Sequence, residues 1–314
     1  MKIFILLFSV ILTFYACIPT KTYEIPFGES KLVLNAVLKA NETPEIYVGK
    51  TWPATGAIPE ATFMTDATAT LWENDQQVGS FVHQKQGIYR IANYKIKPGQ
   101  KYVIKVSKTG FQPAESAPVH IPNSFPLRSL SIDSNTNVSS SNSQWADPIL
   151  LNVMLHDSPL SDVFLGVLAQ TYTGGFLNAT QISPIESNTN LTNASDCLLR
   201  SALFGEFELK PLIFKSQLFL YNPICIGTTN RRLGIILETK GYVQRPNDFS
   251  LQKADEIRVQ LLVCSPEYAE FTKRNKILEG LDFAFNEPQP TYTNVKGGYG
   301  VVVAFNRMNR TLRL

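Results

Sequence analysis

Residues 97–111 read KPGQKYVIKVSKTGF, which is the pattern of a β-strand between two turns. The Pro-Gly pair at its start and Gly110 near its end favour turns. Tyr102, Ile104 and Val106 are two residues apart, so their side chains share one face of the strand. The segment is typical of a late strand in a β-sandwich.

The same kind of pattern recurs before this strand. Short β-type runs separated by turn residues occupy residues 31–39, 45–48, 67–73, 78–82 and 87–92. About seven strands in about a hundred residues, with turn signals about every 8–12 residues, predict an immunoglobulin-like β-sandwich. We place this sandwich at residues 30–122.

Two details within the predicted sandwich are specific enough to test. The segment Asn74–Gln77 is rich in turn-forming residues and predicts a hairpin connection between two strands. Trp72 lies in an alternating strand, and we place it in the core.

Residues 123–314 continue with further β-type runs, and they predict a second β-rich domain, either a sandwich or barrel-like. Residues 118–143 contain prolines and a Ser/Asn-rich stretch, so we interpret them as a linker and an exposed loop. Ser265 as cap, Pro266 at the first position and Gly280 after the end predict one short helix near the C-terminus. The fold class is therefore mainly β.

The first residues have the layout of an export signal. Lys2 is followed by an apolar run over residues 3–16, which is too short for a membrane span of about 20 residues. Cys17 directly follows the small residue Ala16, as in a bacterial lipobox, where the thiol receives diacylglycerol. We predict a signal peptide at residues 1–16 and a lipidated tether at 17–29. The alternative is an ordinary signal peptide with a chance cysteine.

Composition restricts the possible functions. The chain has 29 Lys+Arg and 26 Asp+Glu, and this small net charge of +3 does not indicate a nucleic-acid partner. Only three histidines occur, and no nucleophile elbow, zinc motif or phosphate loop is present in the sequence. We expect no catalytic residues, no metal and no cofactor. A hydrolase of unfamiliar type is the remaining enzymatic alternative.

The cysteines after Cys17 are Cys197, Cys225 and Cys264, and none of them forms a Cys-x-x-Cys pair. An exported protein is able to form disulfides. Cys197 and Cys225 both adjoin loop-like sequence, so we favour that pair, although three cysteines compete for two places. Cys264 ends an apolar strand and fits a buried free thiol.

Trp52 is the residue most typical of a binding contact. It lies beside Pro53 in a loop rich in Gly, Ala and Pro. Aromatic side chains in such loops often contact ligands. The alternative is that Trp52 covers one end of the sandwich core.

The chain resembles a family of Bacteroidetes-type lipoproteins labelled domain of unknown function 4249. Three features carry the resemblance. They are the lipoprotein signal followed by KLVLNAV (31–37) and IYVGK (46–50), the hairpin ATLWEND (69–75) leading to the strand at 98–111, and the tail with SPEY (265–268), FAFNEP (283–288) and YTNVKGGYG (292–300).

The resemblance implies an outer-membrane lipoprotein that accompanies a TonB-dependent barrel protein. It implies an accessory or ligand-binding subunit without established catalytic residues. Our expectation is therefore a non-enzymatic protein, anchored by lipid in the outer membrane and facing the cell surface. The alternative is a surface adhesion or structural lipoprotein without a transporter partner.

Overall fold

The computed structural model describes ten stretches of the chain. They are residues 28–53, 62–133, 149–156, 163–177, 179–184, 197–201, 218–226, 232–240, 254–274 and 292–314. Within them the chain forms nineteen β-strands, one α-helix and one 3-10 turn, which confirms the prediction of a mainly β fold.

The first eight strands precede residue 122. They are β1 (Leu32–Lys39), β2 (Glu45–Lys50), β3 (Thr68–Glu73), β4 (Gln76–Lys85), β5 (Ile88–Arg90), β6 (Lys101–Ser107), β7 (Ala114–Ser116) and β8 (Val119–His120).

The remaining elements follow. They are β9 (Leu127–Asp133), β10 (Ile149–Leu155), β11 (Phe164–Thr173), β12 (Phe176–Leu177), β13 (Ala179–Pro184), β14 (Leu198–Ser201), β15 (Leu218–Tyr221), a 3-10 turn (Pro223–Cys225), β16 (Arg232–Lys240), β17 (Glu256–Cys264), α1 (Pro266–Arg274), β18 (Val295–Lys296) and β19 (Val302–Arg313).

The strands are organised in two sheets. Fifteen belong to one long sheet with the order β14-β15-β11-β17-β19-β1-β2-β5-β4-β3-β6-β7-β18, in which β12 also pairs with β11 and β8 with β6. The other four form a small sheet with the order β13-β16-β10-β9. The long sheet therefore connects the N-terminal strands to strands from the end of the chain.

The N-terminal strands enclose a first hydrophobic core. Alternate residues of β1 are buried, with Leu32 and Leu34 fully inaccessible to solvent. They pack with buried residues of β3 and β6, which lie in the other part of the long sheet. We call the strands around this core, namely β1–β8, β18 and the start of β19, the N-terminal module.

The prediction for Trp72 was wrong. Leu71 is the buried residue of β3, and Trp72 is only half-buried on the opposite face. The reason is the alternation of side chains along a strand, which allows only one of two neighbours to face the core. Outside the core, the Lys105 ammonium lies 4.5 Å from the centroid of the Trp72 ring.

The predicted hairpin at Asn74–Gln77 is confirmed. Asn74 and Asp75 have φ angles of 46° and 67°, and they connect β3 to the antiparallel β4. Two consecutive positive φ angles are the geometry of the tight hairpin turn for which Asn and Asp are preferred.

Strand β19 belongs to both halves of the molecule. Its first residues run parallel to β1, from the pair Ala36 and Val302 onward. Its later residues run antiparallel to the whole of β17. Val302 and Ala304 are buried in the first core, whereas Val303 lies in the second. The boundary predicted at residue 122 stays a prediction, and the C-terminal strand packs into both cores.

The second core lies between the C-terminal strands and α1. The predicted helix is confirmed at Pro266–Arg274, and Tyr268 and Phe271 on this helix are buried. The Ser265 hydroxyl accepts a hydrogen bond from the Ala304 N–H at 3.2 Å, which links the start of the helix to β19. Gly280, the predicted end signal, lies outside the described residues.

The interpretation of residues 118–143 as linker and loop was partly wrong. Residues 119–120 and 127–133 form strands β8 and β9. Leu130 and Ile132 of β9 are partly buried against the second core, and this burial stabilises the strand despite the nearby prolines. Residues 134–143 lie outside the described residues.

Candidate functional site

The first described residues, 28–30, lie at one end of the N-terminal module. Residues 28–30 lead directly into β1, and Thr51, just after β2, lies opposite Lys31. The Thr51 N–H donates to the Lys31 carbonyl at 2.9 Å, and the Ser30 hydroxyl donates to the Thr51 carbonyl at 2.7 Å. We call this end of the module the entry end.

Trp52 follows Thr51 at the entry end, and 44% of it is exposed. This exposure argues against the alternative in which Trp52 covers the core, because a covering side chain loses most of its contact with water. The predicted contact between Trp52 and a ligand stays a prediction.

A second exposed aromatic residue, Tyr299, lies at the same end. Its N–H donates to the Leu32 carbonyl at 2.9 Å, and its carbonyl accepts from the Leu34 N–H at 2.8 Å. A Cβ atom on Gly298 would lie 2.5 Å from the Leu32 oxygen, and one on Gly300 would lie 2.0 Å from the Leu34 oxygen. Only glycine permits this close approach to β1, so the two glycines hold Tyr299 in a fixed position.

The sequence interpretation did not single out Tyr299 as a contact residue, although YTNVKGGYG (292–300) was part of the family resemblance. The glycines around Tyr299 in GGYG indicate a turn, but this pattern does not show whether the Tyr299 side chain is exposed. In the structure Tyr299 is 48% exposed, and the Lys31 ammonium lies 5.4 Å from its ring centroid. That distance is typical of a cation–π contact.

Lysines outnumber the exposed Glu29 at the entry end. Lys50 ends β2, and Lys85 lies in the neighbouring β4–β5 hairpin. Neither these two lysines nor Lys31 forms an ion pair with another described residue. Asp66, by contrast, is hydrogen-bonded to Lys108, and this bond holds the pKa of the Asp66 carboxyl below its ordinary value.

The opposite end of the module, which we call the corner end, contains a closed polar cluster. The Tyr94 hydroxyl donates to Glu73 Oε2 at 2.9 Å and lies 2.9 Å from the Tyr102 hydroxyl. The Lys97 ammonium donates to the same carboxylate oxygen at 3.0 Å. Burial acts to raise the pKa of Glu73, but the hydrogen bonds from Lys97, Tyr94 and Tyr102 outweigh it and lower that pKa.

Tyr102 also fixes the backbone at the corner end. It is fully buried at the start of β6, and its hydroxyl accepts from the Lys97 N–H at 2.9 Å. A tyrosine bonded to backbone a few residues upstream is typical of immunoglobulin-type sandwiches. The immunoglobulin-like classification itself stays a prediction.

A shallow cleft of about 300 Å³ lies on the outer face of β3, β6 and β7. Its lining includes Thr68, Lys105, Glu115 and Lys296. Lys105 lies 3.6 Å from the Glu115 carboxylate and also over the Trp72 ring, so its charge is already partly compensated. The cleft is therefore a weaker candidate for binding than the entry end.

Comparison with protein families decides where this chain belongs. A family model described as "Domain of unknown function (DUF4249)" matches residues 19–311. The chain belongs to the DUF4249 family. This confirms the resemblance drawn from the sequence, and the match includes both ends of the N-terminal module. No curated protein matches this DUF4249 chain.

Several solved structures share weak similarity with the DUF4249 chain. Salmonella alpha-2-macroglobulin reacted with methylamine is 11% identical, with a TM-score of 0.27 over 93% of this chain and 15% of that one. A putative membrane anchored protein from Corynebacterium diphtheriae is 11% identical, with a TM-score of 0.21 over 77% of this chain and 55% of that one.

The Yersinia pseudotuberculosis adhesin InvE is 12% identical, with a TM-score of 0.18 over 76% of this chain and 55% of that one. This chain thus spans 15% of the first of these proteins and 55% of each of the others. Similarity at these TM-scores supports no assignment of fold or function.

In the DUF4249 chain the structure joins Cys197 and Cys225 by a disulfide, with their Cα atoms 5.7 Å apart. The Asn222 N–H donates to the Cys197 carbonyl at 2.9 Å and thereby ties the two segments together. Cys264 is a free, buried thiol, and burial raises its pKa, which keeps it protonated and unreactive.

The predicted lipidation site of the DUF4249 chain, Cys17, lies outside the described residues. Within the described stretches, α1 does not have the length and apolar character that a membrane-crossing helix requires. The same stretches contain no group of three His, Cys, Asp or Glu side chains that could bind a metal ion.

Proposed function

We propose that this DUF4249 chain is a non-enzymatic outer-membrane lipoprotein, anchored through Cys17 and facing the cell surface. In this proposal it serves as an accessory or ligand-binding subunit of a TonB-dependent transporter complex. The observation that carries the proposal is the apolar segment ending in Ala16-Cys17, placed shortly before a β-rich body that begins at residue 28.

An acylated Cys17 accounts for a stable attachment to the membrane. Each buried methylene of an acyl chain contributes about 0.8 kcal/mol, and more than one chain is needed for durable anchoring. Diacylglycerol on the thiol meets that requirement. Anchoring also confines the protein to the membrane plane, which raises its effective concentration toward a membrane-embedded partner.

The binding role is supported by the surface of the N-terminal module. Trp52 and Tyr299 are exposed aromatic side chains, and such residues are enriched at interfaces. The transporter partner rests on the family resemblance, which covers both ends of the mature chain. A small net charge of +3 gives no support to a nucleic-acid partner.

Acylation is tested by feeding an alkyne analogue of palmitate to cells that produce the full chain with a C-terminal tag. We expect label on the wild-type chain and none on Cys17→Ala. Cys264→Ala, which retains Cys17, serves as the matched control and keeps the label. An unlabelled wild-type chain, or label that persists in Cys17→Ala, would contradict the anchor.

The partner is tested by purifying the tagged chain from outer membranes in mild detergent and identifying what accompanies it by mass spectrometry. We expect a TonB-dependent barrel protein in near-equal amount. A chain that is acylated but purifies alone would contradict the transporter role and favour the adhesion or structural alternative.

A further inference from the structure

Exposed apolar side chains are unevenly distributed on this protein. Among the described residues, five large hydrophobic side chains are exposed: Trp52, Val82, Ile224, Tyr299 and Leu314. The two aromatic ones, Trp52 and Tyr299, both lie at the entry end. From the strand spacing and the rise per residue, their backbones are about 15 Å apart.

The chain that leads to the membrane anchor joins the module at this same end. Residues 17–27 precede Gly28, and a fully extended segment of that length spans at most about 40 Å. With acyl chains on Cys17, the module is therefore held close to the lipid surface. The entry end is the part of the module from which this connection starts.

The chemistry of the entry end matches a lipid headgroup layer. Trp and Tyr are enriched at membrane–water interfaces, where the ring contacts the apolar side and its polar atom stays hydrated. Lys side chains extend their stems along apolar surface and place the ammonium group among anionic headgroups. Lys31, Lys50 and Lys85 have no ion-pair partner among the described residues and are available for such contacts. They outnumber Glu29, an exposed carboxylate at the same end, so the lysine charge prevails.

The backbone hydrogen bonds that hold Trp52 and Tyr299 in place are also consistent with a docking surface. The N–H and the carbonyl of Tyr299 both form hydrogen bonds with β1, and the N–H of Thr51, next to Trp52, donates to the Lys31 carbonyl. Rigid support lowers the conformational entropy that binding would otherwise cost. At the corner end, by contrast, the tyrosine hydroxyls and the Glu73 carboxylate already have partners within the protein.

We infer that the entry end is a membrane-docking face, in which Trp52 and Tyr299 insert among the anionic headgroups of the lipid layer that holds the anchor and Lys31 lies beside them. The inference deepens the proposed function and rests on its lipid anchor at Cys17. Docking fixes the orientation of the protein, with the second core directed away from the membrane.

The test uses the mature chain without the acylated cysteine, residues 18–314, which contains every described residue. The chain is mixed with vesicles of phosphatidylcholine and phosphatidylglycerol, or of phosphatidylcholine alone, and bound protein is measured by flotation. We expect binding to the anionic vesicles that weakens with added salt, because salt screens the lysine charges. Trp52→Ser combined with Tyr299→Ser lowers the binding constant about tenfold or more.

Val82→Ser is the matched control, because Val82 is 63% exposed and lies away from the entry end. It is expected to bind vesicles as the wild-type chain does. Urea unfolding of all variants verifies that they fold. No flotation of the wild-type chain, or equal flotation of the double variant, would overturn the docking face.

Failure of docking is distinguishable from failure of the anchor. If the full chain is labelled at Cys17 but residues 18–314 do not float with vesicles, the anchor is supported and docking is contradicted. If residues 18–314 float with vesicles but the full chain takes no palmitate label, docking is supported and the anchor is contradicted. If the double variant floats normally but no longer purifies with a barrel protein, the entry end is a protein contact and the docking inference is wrong.

Discussion

At the corner end of the N-terminal module, Glu73, Tyr94 and Tyr102 bond to one another, whereas at the entry end Trp52 and Tyr299 face solvent. Both ends contain aromatic residues and lysines, so composition alone does not separate them. The difference is in their partners. A group whose hydrogen bonds are satisfied internally contributes to stability, and an exposed group with fixed support remains free to bind something else.

The largest loss of stability is expected from a change at Gly300, which allows the turn of Tyr299 to pack against β1. Gly300→Ala places a Cβ about 2.0 Å from the Leu34 carbonyl oxygen, at a φ of +117°. The turn must move, and we expect a loss of about 3 kcal/mol or more in unfolding free energy, measured by urea denaturation.

Gly110→Ala is the matched control for this change. Gly110 also has a positive φ, of +82°, but a Cβ there meets no atom within 4 Å. We expect a loss of about 1 kcal/mol, which reports the backbone conformation alone. Equal losses at Gly110 and Gly300 would show that close packing against β1 does not support Tyr299.

A smaller effect separates the two ends through their tyrosine hydroxyls. Tyr102→Phe removes the acceptor of the Lys97 N–H and a partner of Tyr94, and should cost about 1–3 kcal/mol in unfolding free energy. Tyr299→Phe removes an exposed hydroxyl and should cost less than about 0.5 kcal/mol. Similar losses of unfolding free energy in both variants would contradict the distinction between the corner end, where the hydroxyls have partners, and the entry end, where the hydroxyl is exposed.

The smallest effect is the pH dependence of the corner end. The pKa of Glu73 lies below its ordinary value of 4.5, so the charged carboxylate stabilises the fold above that value. This contribution is lost as the pH falls through the lowered pKa. We expect Glu73→Gln to cost about 1 kcal/mol near neutral pH and progressively less in acid, measured by urea unfolding at a series of pH values.

Lys50→Gln at the entry end is the control for this series. Lys50 has no ion-pair partner among the described residues, so its effect should stay below about 0.5 kcal/mol at every pH. A loss in Glu73→Gln that did not change with pH would contradict the role of the carboxylate charge.

Local sequence patterns were sufficient for much of the fold. The β-strand within residues 31–39, the hairpin at Asn74–Gln77 and the helix from Pro266 each depend on neighbouring residues, and each was predicted. Trp72 was assigned to the core from the alternating pattern of its strand, which does not by itself show which of two neighbouring residues faces inward. Only one of the adjacent residues Leu71 and Trp72 can face the core, and in the structure Leu71 does so, in the strand paired with β6.

The entry end could be predicted only in part, because it depends on contacts between distant residues. Trp52 was recognised from its loop, but its exposed neighbour Tyr299 comes from the other end of the chain. No local pattern indicates that Gly298 and Gly300 would pack against β1. The parallel pairing of β1 with β19 was missed for the same reason.

The pairing of β1 with β19 has a mechanical consequence. A pull on the chain that precedes β1 acts along β1, while β19 is held at its far end by antiparallel pairing with β17. The hydrogen bonds from Leu34, Ala36 and Ala40 reach residues 299–305, the segment that leads into β19 and forms its start. They lie across that direction, so they are strained together and not one after another. The strand that closes the first core therefore also resists shear, and it opposes extraction of β1 when the chain is pulled from its N-terminal side.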